Sequence, residues 1–307
     1  MSTNVESIYQ SALLADAAYV NFEEINFLSG TQIKDEAFLG SLNDDAQSFS
    51  ERGFSREEFN AFSARYRVLQ HQPDSLNGFS ATLFEDTTTG QLHLAFRGTN
   101  DLADVFMDLG LAVDEAYRYE GLLQNGSVTD FLKTAGILDE WGSVRPEFAG
   151  RVHVVGHSLG GYLATWSAFR HPEMVSSVDT FNGAGLVYGT PLAMFLNTLW
   201  GDDLPQPGFD RSRITHYFAE PGPELTAAGA IAFRPGRRVP LFIENQSGEP
   251  GNILDNHSMA HLVDALGAYR LLARLDPTLE LGEITGILEA ASNRGEGSLA
   301  ALCLAIG

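Results

Sequence analysis

Apolar positions recur at helical spacing near the start of the chain and contract into short runs further on. From Val5 to Val20 they fall at Ile8, Leu13, Leu14, Ala17, Ala18 and Val20, a spacing that predicts a helix rather than an alternating strand. The chain then turns mixed and polar from Phe22, with a short helix expected over Arg56–Arg65. Short apolar runs predict strands at Tyr66–Gln70, Phe79–Phe84 and Leu92–Phe96, the last two joined by a hairpin turn at Thr87-Thr88-Thr89-Gly90. Asp101–Trp141 reads mostly as helix. Val152–Val155, Val175–Phe181, Arg213–Ala219 and Val239–Glu244 read as further strands, with a helix over Tyr162–Arg170. The last strong pattern is His257–Arg274, where Leu262, Ala265, Leu266, Tyr269 and Leu272 form a helical stripe.

Strands separated by helices in this order argue for a mostly parallel sheet covered on both faces, an α/β fold. The expected organisation is a single domain over residues 1–307. Residues 1–65 form a helical N-terminal cover, 66–274 the core, and 275–307 a helical tail. No internal repeat and no long linker is visible.

Charge narrows the partners. Of the 307 residues, 40 are acidic and 19 are Lys or Arg, a net charge of −21. That disfavours nucleic acid, whose phosphates need cations to displace counterions, and static docking on an anionic bilayer. It suits solubility, and it also suits calcium binding or salty surroundings. A single cysteine, Cys303, excludes an intrachain disulfide. Met1–Gln10 has neither a basic nor an apolar signal-peptide region, and no apolar run approaches a membrane span. The expectation is a soluble protein without a transmembrane segment, compatible with the cytosol or with export that uses no signal peptide. Oligomeric state and cellular address are not legible.

Candidate chemistry centres on Gly156-His157-Ser158-Leu159-Gly160, a G-x-S-x-G pentapeptide with a strand before it and a helix after it. A serine hydroxyl is a poor nucleophile unless it is lifted out of the chain and given a base. A sharp strand-to-helix turn lifts it, and Gly156 and Gly160 supply the room. The helix that follows aims its first amides where negative charge would develop.

The turn resembles the nucleophile elbow of α/β-hydrolases, in which serine, acid and histidine follow in that order. Of the histidines after Ser158, His171 ends the nucleophile's helix and His216 lies mid-strand. His257 follows a Gly/Pro/Asn-rich loop and opens a helix, which makes it the favoured base, with His261 one turn on as the alternative. Glu220 ends a strand before Pro221 and is the favoured acid, with Asp179 as the alternative. The oxyanion donors are expected to be the amide of Leu159 and that of Thr99, in the turn after Leu94-Ala95-Phe96-Arg97-Gly98.

These pieces together resemble the class 3 lipase family, in particular its bacterial lipase and phospholipase A1 branch, over roughly Leu92–Leu266. Arg97-Gly98-Thr99 is similar to the family's oxyanion segment, followed by the acidic pair Asp104 and Asp108. Gly156–Gly161 is its G-H-S-L-G-G, and Thr180-Phe181-Asn182-Gly183 resembles its T-F-G/N strand end. Glu220-Pro221-Gly222-Pro223-Glu224-Leu225 resembles the segment carrying the triad acid, with glutamate in place of aspartate. Asn256-His257-Ser258 resembles the histidine segment.

The resemblance implies an α/β-hydrolase with a helical lid over a serine esterase site, and a triad of Ser158, Glu220 and His257. It implies carboxylic-ester hydrolysis on lipids at a lipid–water interface. Two apolar stretches have lid character, Val105–Leu123 and Pro191–Trp200, although apolar helices over a sheet are normally core. No cofactor is required, and calcium near Asp101, Asp104 and Asp108 is the candidate ion. Two alternatives stay open: an esterase, polyesterase or acyltransferase on the same fold acting on other esters, and a non-catalytic binding module on that scaffold.

Overall fold

In a computed structural model the chain is described over residues 5–20, 22, 56–98, 113–186, 209–221, 234–244 and 256–292. Among the described residues, seven strands form one sheet in sequential order: β1 (Tyr66–Gln72), β2 (Ala81–Asp86), β3 (Leu92–Phe96), β4 (Val152–His157), β5 (Val175–Phe181), β6 (Ile214–Glu220) and β7 (Arg237–Phe242). β1, β2 and β3 pair antiparallel, and β3 to β7 pair parallel. Every residue of β3 and β4 is buried, as expected of central strands covered on both faces.

Alternation along the strands sorts side chains into two cores. Ala95, Val155, Phe181, Tyr217 and Leu241 meet α1 (Val5–Ala17), α2 (Arg56–Arg65) and the long helix that begins at Met259 on one side. Leu94, Phe96, Val154 and Val178 meet the helix Val113–Thr134, α3, and the helix Leu159–Arg170, α4, on the other. α4 is buried from Leu159 to Phe169, so it is core all round rather than amphipathic. The Met259–Leu275 helix, α5, lies beside α1, and α6 (Leu281–Ala291) packs Ile284 and Leu288 beneath it.

The expected mostly parallel sheet with flanking helices is what forms. Boundaries differ where turn chemistry decides. The strand expected at Phe79 starts at Ala81, because Phe79 closes a turn in which its carbonyl accepts from Ser75. The helix expected to reach Trp141 ends at Thr134. Gly136 follows at φ 74°, and the chain folds into a turn that pairs Leu138 with Val144. β7 begins at Arg237, two residues before the expected strand. In the tail, α6 is the described helix. Residues 191–200 and 105–112 of the lid candidates lie outside the described residues, and so do Asp101, Asp104, Asp108 and Glu224.

Candidate active site

Ser158 sits between β4 and α4 with φ 56° and ψ −124°, a backbone conformation that side-chain-bearing residues rarely take. Three backbone hydrogen bonds hold it there. Its N–H donates to the Phe181 carbonyl at 3.1 Å, and its carbonyl accepts from Gly161 at 2.9 Å and from Ala184 at 3.0 Å. The turn closes only without side chains on either side. A Cβ on Gly156 would strike the Gly160 carbonyl, and one on Gly160 would strike the Phe96 carbonyl. Leu159 is the first residue of α4, so its amide belongs to the helix turn whose N–H groups lack intrahelical partners.

Both Ser158 and His257 are fully buried at 0 % exposure, so charge developing there is poorly screened by water. His257 lies just ahead of α5, and two neighbours of the serine bind its segment. His157 donates from Nε2 to the His257 carbonyl at 2.7 Å, and the two imidazole rings sit 4.8 Å apart, centre to centre. Asn182, directly after the Phe181 that receives the serine amide, donates from Nδ2 to the Asn256 carbonyl at 2.8 Å. Its Oδ1 accepts from the backbone of Ala219 at 3.0 Å, next to Glu220. One amide side chain therefore ties the end of β6 to the histidine segment, and Asn256 returns a bond to the Pro221 carbonyl at 3.4 Å. Asn182 itself takes φ 44°, within the left-handed region that asparagine tolerates better than most residues.

The turn after β3 reaches the same point. A Cβ placed on Gly98 would lie 2.9 Å from the Ser158 Cβ. Arg97 anchors this turn through an ion pair with Asp74 at 2.7 Å and a bond to the Gly78 carbonyl at 3.3 Å. Thr99, the expected second oxyanion donor, is outside the described residues.

Glu220 ends β6 at the same edge of the sheet as the elbow, with its carbonyl accepting from Ile243 at 2.7 Å. Its side chain is exposed and makes no hydrogen bond among the described residues. Asp179 is held elsewhere, by Ser11 and His153 under α1. His261, the third residue of α5, is half-buried. His171 ends α4 at its far end, and His216 is spent on Thr180 and the Pro235 carbonyl. Among the described residues no group of three or more His, Cys, Asp or Glu is placed to hold a metal ion.

Tyr19 and Asn182 are site neighbours to which the sequence reading gave no role. Asn182 lies within Thr180-Phe181-Asn182-Gly183, whereas Tyr19 carries no local signal.

The family model of phospholipase-like proteins described as the Tle-like phospholipase domain matches residues 10–194. The chain belongs to this Tle-like phospholipase family. The match spans Tyr19, the Gly98 turn, the whole elbow and Asn182, and stops short of Glu220 and His257. Among solved structures, similar chains include three fungal lipases. Lip2 lipase from Yarrowia lipolytica is 16 % identical, with 82 % of each chain covered and a TM-score of 0.41. Lipase II from Rhizopus niveus is 14 % identical, with 77 % of this chain and 80 % of that one covered and a TM-score of 0.42. Rhizomucor miehei triacylglyceride lipase is 13 % identical, with 78 % and 81 % covered and a TM-score of 0.39. No curated protein matches.

The phospholipase reading of the motifs agrees with the family model. This Tle-like phospholipase is an α/β-hydrolase, and it is a serine hydrolase of lipid esters. Among its described residues no helix is long and apolar enough to cross a membrane.

Proposed function

We propose that this Tle-like phospholipase cleaves acyl esters of glycerophospholipids through an acyl-enzyme on Ser158. His257 is the general base, Glu220 orients it, and the amides of Leu159 and Thr99 receive the oxyanion. The observation that carries this reading is the Ser158 backbone, held at positive φ by three hydrogen bonds beside a histidine segment bonded to the adjacent residue.

His257 takes the Ser158 proton as Oγ attacks the ester carbonyl. The tetrahedral oxyanion is stabilised by the two amides, each worth about 3 kcal/mol of barrier. Collapse breaks the ester bond, and the lysophospholipid alcohol leaves with the proton from His257. Water, deprotonated by the same imidazole, then releases the fatty acid and restores the serine. None of these steps calls for a cofactor. Glu220 stands where the resembling lipase segment carries aspartate and reaches one methylene further, from an exposed position at the end of β6.

The test is a substrate panel of phosphatidylcholine, triacylglycerol and p-nitrophenyl esters of graded chain length, with Ser158→Ala as the control. Phosphatidylcholine turnover well above that of triacylglycerol, lost in the variant, is expected. Triacylglycerol preferred over phospholipid would overturn the substrate class, and full turnover by Ser158→Ala would overturn the mechanism.

A further inference from the structure

Four groups link the turn after β3 to the start of α5, and the direction of every hydrogen bond between them is fixed. The His257 carbonyl can only accept, so His157 donates to it from Nε2 at 2.7 Å. In the neutral imidazole Nδ1 is then an acceptor, and the proton in its 2.7 Å contact with the Tyr19 oxygen is the phenolic one. The Tyr19 oxygen in turn packs directly against Gly98. Burial pushes the ionisation of Tyr19 well above that of an ordinary tyrosine, which keeps this O–H in place. Packing leaves the wire no slack. A Cβ on Gly98 would stand 2.6 Å from the Tyr19 oxygen and 2.9 Å from the His157 carbonyl.

We propose that Tyr19 and His157 are positioning residues of the ester hydrolase site, whose wire from Gly98 to the His257 carbonyl sets the oxyanion turn and the base at a fixed distance across Ser158. The inference rests on the reading of Ser158 as nucleophile and His257 as base. Its physical content is preorganisation. The amide expected to receive the oxyanion belongs to Thr99, one residue past Gly98, and the base is the residue whose carbonyl ends the wire. A donor or base displaced by about 1 Å can cost 100-fold in rate. Tyr19 comes from the turn after α1, far from the motif in sequence, so the N-terminal segment contributes to the site and is more than a cover for the sheet.

Tyr19→Phe removes one oxygen and keeps the ring. In assays with a p-nitrophenyl ester and with phosphatidylcholine micelles, kcat should fall about 10- to 100-fold with KM within about twofold of wild type. At position 157, Gln offers a carbonyl in place of Nδ1 and an N–H in place of Nε2–H. His157→Gln should therefore retain at least about tenfold more kcat than His157→Leu. Wild-type kcat in Tyr19→Phe would overturn the inference. Should Tyr19→Phe fail to fold, the pair at position 157 decides, and equal losses in Gln and Leu would overturn it. Ser158→Ala measured alongside separates the levels: turnover surviving there strikes the underlying mechanism, while its loss together with an unaffected Tyr19→Phe strikes the wire alone.

Discussion

His153 and His157 lie four residues apart on one face of β4, yet they serve two different kinds of buried polar cluster. His153 donates from Nε2 to the Asp179 carboxylate at 3.2 Å, and its Nδ1 meets Nδ1 of His93 at 3.0 Å. Ser11 from α1 donates its hydroxyl to the same carboxylate oxygen of Asp179 at 2.8 Å. A serine, a carboxylate and an imidazole are thus in contact under α1, as in a triad, but in the wrong order. The serine proton goes to the carboxylate and, among the described residues, no imidazole contacts its oxygen, so the arrangement lacks the imidazole base of a triad. His157 instead donates to the backbone of another histidine segment, that of His257. Composition alone would rank the two clusters alike. Hydrogen-bond direction separates a sealed structural cluster from a site.

The sealed cluster should show itself most strongly in acid. Burial lowers the pKa of His93 to about 3, with the charge of His153 adding to it, and lowers those of His71, His171 and His216 to about 4. An unfolded histidine titrates near 6.5. Between about pH 6.5 and 4 the unfolded chain therefore binds protons that the folded chain refuses. Stability present above pH 6.5 is lost as the pH falls, on the order of 2–3 kcal/mol for each imidazole. Four such groups rival the whole stability of a typical domain, about 5–15 kcal/mol. Urea midpoints measured from pH 7.5 to 4 should fall steeply, and His93→Gln should flatten the curve. A flat profile would contradict the burial assigned to these rings.

Asn182 sharpens the other side of the comparison. Asn182→Gly keeps the backbone free to hold φ 44° and deletes both side-chain bonds, leaving the Ala219 amide and the Asn256 carbonyl without it. A loss of about 2–4 kcal/mol in stability and about tenfold in kcat is expected, read from urea unfolding and steady-state kinetics. Wild-type kcat would remove Asn182 from the machinery that sets acid and base. The smallest effect belongs to the false triad. Ser11→Ala should cost about 1 kcal/mol of stability and leave kcat within about twofold.

Local patterns carried the sheet, the helices and the elbow, because strand–turn–helix chemistry is written in consecutive residues. Gly156, Ser158 and Gly160 meet their steric demands within five positions, and β3 to β6 follow apolar runs directly. What stayed hidden depends on distance in sequence. Tyr19 meets His157 across 138 residues, and Asn182 reaches Asn256 across 74. Neither leaves a periodic or compositional trace, since each role arises only when strand ends converge. Helix boundaries failed for a local reason: apolar spacing continued past Thr134, while Gly136 at positive φ ended the helix.

Phosphonate trapping tests the central claim most directly. Incubation with a fluorophosphonate, followed by proteolysis and mass spectrometry, should place one adduct on the peptide carrying Ser158, with none in Ser158→Ala and full labelling retained in Ser11→Ala. An adduct on Ser11 or another serine, or a protein that hydrolyses phospholipid while Ser158 stays unlabelled, would contradict the account.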